Sequence, residues 1–270
     1  MTASGGGFIE IAGRRVFIEE WGSGPPLLCL HGLGGGTHFF SELGPLLSAR
    51  HRTIAFDFPG AGQSPSTLPV SFEAFAEIVV ALAASLNVSD LALLGHSMGT
   101  IIGLEAIRVS PRLTSRFIAV GGVPEPPDSA RTRISARIAT IHSNGISGLG
   151  KDAVAGNVSA RTNAARPDIA ARLAEHFDRQ SGDGYVAIAE ALAGWTARPL
   201  PPLDGVKCLA ITGEEDRYAP PDAVRMFAGQ LPQGTVVEVM RDCGHLPFLE
   251  QPELFAEIVE RFIDERDRPN

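Results

Sequence analysis

Gly95-His96-Ser97-Met98-Gly99 sets a serine between two glycines. An apolar run ends at Leu94 before it, and an apolar-rich run, 100–107, follows. The first run reads as a buried strand and the second as a helix. A sharp strand-to-helix turn lifts the serine hydroxyl to the carboxyl edge of a sheet, and flanking glycines remove side chains that would collide there. The free N–H groups at the start of the helix favour negative charge beside it. Taken alone, the pentapeptide also fits a glycine-rich turn whose serine caps the helix. A neutral hydroxyl is a weak nucleophile, so a chemical role for Ser97 calls for a base elsewhere in the chain.

His245 is the candidate base among the seven histidines. It follows a late apolar run, 235–240, in the segment RDCGHLPFLEQPE, and the order serine, acid, histidine requires such a position. The acid is expected after the preceding strand, where 206–212 runs into GEEDRYAPP. Asp216 is the first choice, Glu214 and Glu215 compete with it, and Glu125 is a fallback after an earlier strand. Its work would be to accept the His245 Nδ1–H bond and stabilise the imidazolium. Acyl transfer also needs two donors for the developing oxyanion. The Met98 N–H is one candidate, and the Leu33 N–H in the loop HGLGGG, 31–36, is the other. His31 reads as an orienting hydrogen-bonder, and the turn 57–64 as a buttress with no chemistry of its own.

The elements needed to position these groups are legible as a rhythm. Two short strands, 8–11 and 15–20, flank Gly13 and suggest a hairpin. Continuous apolar runs at 25–32, 51–56, 88–94, 115–120, 206–212 and 235–240 suit strands buried on both faces. Helical patterns at 72–86, 98–109, 222–231 and 252–262 alternate with them, which predicts a mostly parallel sheet covered on both sides. Residues 124–202 break the rhythm: Pro-rich at both ends, they show helical periodicity at 129–141, 167–177 and 185–192 and no convincing strand. This predicts a helical insertion between two strands.

Composition is that of an ordinary globular chain, with 44% hydrophobic and 20% charged residues over a length of 270. Disorder is expected only at 4–7 and 264–270. The formal charge of −8, without a basic cluster, argues against nucleic acid and anionic membrane as partners. The three cysteines show no metal-type spacing and read as free thiols. The start of the chain lacks a secretory pattern and no apolar run is long enough to span a bilayer, so a soluble cytoplasmic protein, monomer or homodimer, is the expectation.

Together, HGLGG, DFPGAGQS, GHSMG, GEEDRYAP and GHLPFLEQPE resemble the α/β-hydrolase fold superfamily, in its order and with its spacing, over nearly the whole chain. Within it the chain is most similar to 3-oxoadipate enol-lactonase-like hydrolases and small carboxylesterases, on the passage GDGYVAIAEALAGW and the segment after it. The resemblance implies an α/β fold with a mostly parallel eight-stranded sheet, helices on both faces and a helical cap between strands six and seven. The core would be 1–124 with 203–270, and the cap 125–202. It implies Ser97 as nucleophile, Asp216 as acid, His245 as base, and Leu33 and Met98 as oxyanion donors. Gly32, Phe39, Phe40, His142, Trp195 and Tyr218 are the candidates for contact with a small ester or lactone substrate. No metal or organic cofactor is called for. A dehalogenase or epoxide hydrolase pattern has aspartate where Ser97 stands. The same triad serves carbon–carbon hydrolases of vinylogous diketones, and Arg133, Arg137 and Arg161 are candidate cations for such acidic substrates. A perhydrolase or haloperoxidase-like activity and a hydrolase-fold ligand receptor complete the alternatives.

Overall fold

The computed structural model describes residues 5–66, 69–86 and 91–265. Eight strands form one sheet: β1 (Gly5–Ile11), β2 (Arg14–Trp21), β3 (Pro26–Leu30), β4 (Arg52–Phe56), β5 (Leu91–His96), β6 (Thr114–Val120), β7 (Lys207–Gly213) and β8 (Val236–Met240). Their order across the sheet is β1-β2-β4-β3-β5-β6-β7-β8. Only the β1–β2 and β2–β4 pairs are antiparallel. The remaining pairs are parallel, so the carboxyl ends of β3 to β8 open onto one edge.

Eleven α-helices are present among the described residues. In chain order, α1 (Leu43–Leu47), α2 (Phe72–Ser85) and α3 (Met98–Val109) precede β6. Next come α4 (Asp128–Asn144), α5 (Gly150–Val154), α6 (Ala160–Ala165), α7 (Pro167–Asp178) and α8 (Gly182–Gly194), all between β6 and β7. The last three are α9 (Pro221–Ala228), α10 (Pro247–Glu250) and α11 (Pro252–Asp264). A 3-10 turn, Thr37–Phe40, follows β3.

Two buried clusters cover the two faces of the sheet. Phe72, Phe75 and Val79 of α2 pack with Ile101 and Ile102 of α3 on one face. Leu43 and Leu47 of α1 pack with Phe255, Val259 and Phe262 of α11 on the other. Covered on both faces, the central strands carry no polar alternation: all six residues of β5 are buried. Ser71 caps α2 by accepting the Ala74 N–H, and Pro at the first turn starts α7, α9 and α11.

The expected rhythm matches these elements closely, with instructive departures. The glycine-rich start is ordered at 5–7, because Gly5, Gly6 and Gly7 pair with Glu20, Glu19 and Ile18. The β1–β2 turn places Ala12 and Gly13 at φ of 51° and 72°, the left-handed geometry that suits a two-residue hairpin. Strand β5 ends at His96 rather than 94, since Gly95 and His96 still pair with Ala119 and Val120. Its expected first residues, 88–90, lie outside the described residues, as do 1–4 and 266–270. The short helices α1, α5, α6 and α10 carry too few turns for a periodicity to register. All three cysteines are buried and free. No helix among the described residues is long and apolar enough to cross a membrane.

Candidate active site

Ser97 sits at the junction of β5 and α3, with φ 52° and ψ −116°. A non-glycine residue there costs on the order of 1–3 kcal/mol and persists only where its surroundings impose it. They do so here: the Ser97 N–H donates to Val120 O at 2.8 Å and its carbonyl accepts from Thr100 N at 2.9 Å. The flanking glycines are required by close approach. A Cβ on Gly95 would lie 2.4 Å from Gly99 O, and one on Gly99 would lie 2.3 Å from Leu30 O. The turn can be this tight only with both glycines.

His245 follows β8, and its Nδ1–H donates to Asp216 Oδ2 at 2.8 Å. Asp216 follows β7 and is buried. Its Oδ1 accepts the N–H groups of Tyr218 at 2.8 Å and Ala219 at 2.9 Å, which fixes the carboxylate plane. The rival acids lie elsewhere. Glu215 accepts from Ala160 N, Glu214 from Asp242 N, and Glu125 binds Arg131 and Ala197 N. With Nδ1 engaged by the carboxylate, Nε2 is the nitrogen left for proton transfer. Ser97 and His245 line one cavity, in which no hydrogen bond joins Ser97 Oγ to His245 among the described residues.

Leu33 and Met98 line the same cavity. Met98 is the first residue of α3, where backbone N–H groups lack intrahelical partners. The Leu33 loop is held by His31. The Phe58 N–H donates to His31 Nε2 at 3.0 Å, so the proton resides on Nδ1 and is donated to Gly32 O at 2.8 Å. Burial lowers the His31 pKa to about 4, which keeps the ring neutral and this tautomer in place. Asp57 tightens the other end of the loop, accepting Thr37 N at 2.6 Å and Gln63 N at 2.7 Å. Burial pushes its pKa up to about 6 against those two bonds.

Several groups around His245 escape a reading of the sequence. His96 is buried, and burial holds it well below the usual histidine value. Its Nε2–H donates to His245 O at 3.0 Å. Gly121, just past β6, has φ 53°, and a Cβ there would lie 2.9 Å from His245 Nδ1. The only legible signal was a glycine pair closing an apolar run. Glu250 in α10 is buried and binds both neighbours of His245: its Oε1 accepts Gly244 N at 2.9 Å and Leu246 N at 3.3 Å. Its Oε2 accepts Ser159 N at 2.8 Å and Thr162 Oγ1 at 2.9 Å. One carboxylate thus ties the His245 loop to the helical insertion. Glu250→Gln would turn an amide donor against one of these donor pairs, so stability in urea should fall by about 2 kcal/mol. An unchanged unfolding midpoint would contradict that account.

The candidate substrate contacts divide. Phe39 and Tyr218 line the cavity. Gly32 lies behind Ser97, where a Cβ would come 3.0 Å from the Ser97 Cβ, and its carbonyl serves His31. Phe40, His142 and Trp195, expected at the same wall, do not line the cavity. Phe40 is fully buried against Phe248 in the sheet core. His142 is exposed near the end of α4, because the buried stripe of that helix falls at Ile134 and Ile141. Trp195 donates to Pro124 O at 3.2 Å and packs on Phe72, which ties the two ends of the insertion together. Of the three candidate cations, Arg133 and Arg137 line the cavity. Arg161 is exposed and pairs with Asp242 at 3.0 Å.

Residues 25–252 match the protein family described as alpha/beta hydrolase fold. The chain is 26% identical over 261 residues to the pimeloyl-[acyl-carrier protein] methyl ester esterase of Aeromonas hydrophila subsp. hydrophila, covering 92% of this chain and 99% of that protein. Among solved structures, the thermophilic esterase of Thermogutta terrifontis superposes with a TM-score of 0.87 at 21% identity, covering 96% of this chain and 98% of the other. The enol-lactonase of Burkholderia xenovorans LB400 superposes at 0.86 and 20% identity, covering 96% and 100%.

Proposed function

Because the chain belongs to the alpha/beta hydrolase fold family, we propose that it is a serine hydrolase cleaving a carboxylic ester or lactone through an acyl-enzyme intermediate. Relatives named esterase and lactonase support the reaction class. The observation that carries the reading is a strained serine sharing a cavity with a histidine whose far nitrogen is bound by a buried aspartate.

The chemistry follows from those positions. Ser97 Oγ attacks the carbonyl carbon while His245 Nε2 takes its proton, and Asp216 stabilises the imidazolium. The oxyanion rests on the N–H groups of Leu33 and Met98, each worth on the order of 3 kcal/mol in the barrier. His245 then protonates the leaving alkoxide, which departs as alcohol and leaves the acyl group on Ser97. A water, deprotonated by the same nitrogen, attacks the acyl carbonyl. Collapse of that second intermediate frees the carboxylic acid and returns the proton to Ser97. In this reading residues 125–202 form a cap over a core of 1–124 and 203–270. The cavity takes walls from both, with Ala130, Ile134 and Leu192 from the insertion and Ile101 and Leu246 from the core.

A fluorophosphonate probe tests the assignment directly, because it reacts only with an activated hydroxyl. We expect one adduct, on the peptide bearing Ser97. Labelling elsewhere, or none under conditions that label a control esterase, would overturn the reading.

A further inference from the structure

Leu33, a proposed oxyanion donor, lies in a loop whose hydrogen bonds form a chain. Gly32, Leu33, Gly34 and Gly35 make a β-turn, closed by the Gly35 N–H donating to Gly32 O at 3.1 Å. Gly34, at its third position, has φ 75°, the left-handed value that a type II turn requires there. Gly32 O also accepts from His31 Nδ1 at 2.8 Å. A trans peptide holds its C=O and N–H in one plane, pointing opposite ways. Two donors on Gly32 O therefore fix the direction of the N–H on the far side of the same peptide, which is that of Leu33. The peptide between Gly34 and Gly35 is held from outside the loop. The buried Gln180 donates its Nε2–H to Gly34 O at 2.9 Å.

Gln180 belongs to the helical insertion, in the short connection between α7 and α8. Both of its flanks are fixed. Its own N–H donates to Phe177 O at 3.2 Å, and Ser181 caps α8 by accepting Gly184 N at 3.1 Å. The first turn of α8 rests directly on the core, where a Cβ on Gly184 would lie 2.3 Å from Gly60 O. Phe177 and Tyr185 close in on the turn as well, each 3.5 Å from where a Gly34 Cβ would stand. We infer that Gln180 is a positioning residue for the oxyanion site. It orients the 34–35 peptide, whose N–H orients the 32–33 peptide, whose N–H is the Leu33 donor. Each hydrogen bond in such a chain polarises the next, so the last donor is strengthened as well as aimed. Gln180 itself does not line the cavity and touches no reacting atom. Its role rests on the proposed hydrolase reading, with Leu33 as donor, and adds a residue of the insertion to it.

Gln180→Met keeps the length of the side chain and removes the donor. With an activated aryl ester, kcat and kcat/KM should fall together, by about tenfold, because the donor serves the oxyanion and not the bound ester. An aryl trifluoromethyl ketone, which adds to Ser97 as a hemiketal oxyanion, should lose affinity by a similar factor. Arg172→Gln breaks a different contact of α7 with the core, to Glu42, and should leave kcat within about twofold. Amide hydrogen exchange reads the same chain without turnover: the Gly35 N–H should exchange about tenfold faster in Gln180→Met. Should that variant not fold, Gln180→Glu replaces it; ionised, it faces Gly34 O with an acceptor and should lose at least as much activity. A wild type that hydrolyses no ester and binds no ketone removes the hydrolase reading. In that case faster exchange at Gly35 still supports the chain of peptides, and unaltered exchange overturns it. With an active wild type, an unchanged kcat in Gln180→Met, or a loss confined to KM, overturns the role of Gln180 alone.

Discussion

Replacing Ser97 with alanine should lower kcat by about 10⁵- to 10⁶-fold, the scale on which serine hydrolases lose turnover with their nucleophile. The protein should remain folded, because the Ser97 side chain forms no cap hydrogen bond whose loss would strand a buried group. Alanine inherits the unfavourable φ of 52°, whereas glycine does not. Ser97→Gly should therefore be as inactive as Ser97→Ala but more stable, by about 1 kcal/mol. Kinetics with an activated aryl ester and parallel thermal denaturation measure both effects. Activity of purified Ser97→Ala within tenfold of wild type would remove Ser97 from the chemistry. A less stable glycine variant would show that the turn is not strained in the way its dihedral angles indicate.

Asp216→Asn should cost about 10⁴-fold in kcat with the fold retained. The reason lies in the polarity of each carboxylate oxygen. Oδ1 accepts two backbone N–H groups, from Tyr218 and Ala219, so an asparagine must keep its carbonyl there. Its amide nitrogen then faces His245 Nδ1, where the wild type has an acceptor at 2.8 Å. A donor in that place forces the imidazole proton onto Nε2, the nitrogen that must be free to deprotonate the serine. Glu214→Gln and Glu215→Gln touch no part of this relay, and each should change kcat by less than about threefold. A loss of under tenfold in Asp216→Asn, or a larger loss in Glu215→Gln, would reassign the acid. Activity returning at high pH in Asp216→Asn would separate a tautomer fault from collapse of the loop, since hydroxide can replace the missing base.

Glu250 shows how these distant parts become one site. It has no place in the proposed proton relay, yet it grips the backbone on both sides of His245 and the first turn of α6 at once. His245, the proposed base, and the helical insertion are thereby held by the same buried carboxylate.

Sequence alone determined what neighbours along the chain impose. Apolar runs without alternation announced strands buried on both faces, and β3 to β8 appear where those runs lie. Glycines around Ser97 announced a turn too tight for any Cβ, and the clashes at Gly95 and Gly99 are the reason. The break in rhythm between β6 and β7 announced a helical insertion, and its long helices were legible from their periodicity. Tertiary structure alone decided which side chains meet. Asp216 is set apart from the neighbouring Glu214 and Glu215 by being turned inward, where it reaches a ring 29 residues away. His142, Trp195 and Phe40 looked like wall residues by type, but helix phase and core packing directed them elsewhere. His96 supports His245 across a separation of 149 residues, and Glu250 reaches Ser159 across 91. Periodicity and turn chemistry act over a few residues and so are written locally. Contacts across such separations exist only once the sheet has brought its carboxyl edge together.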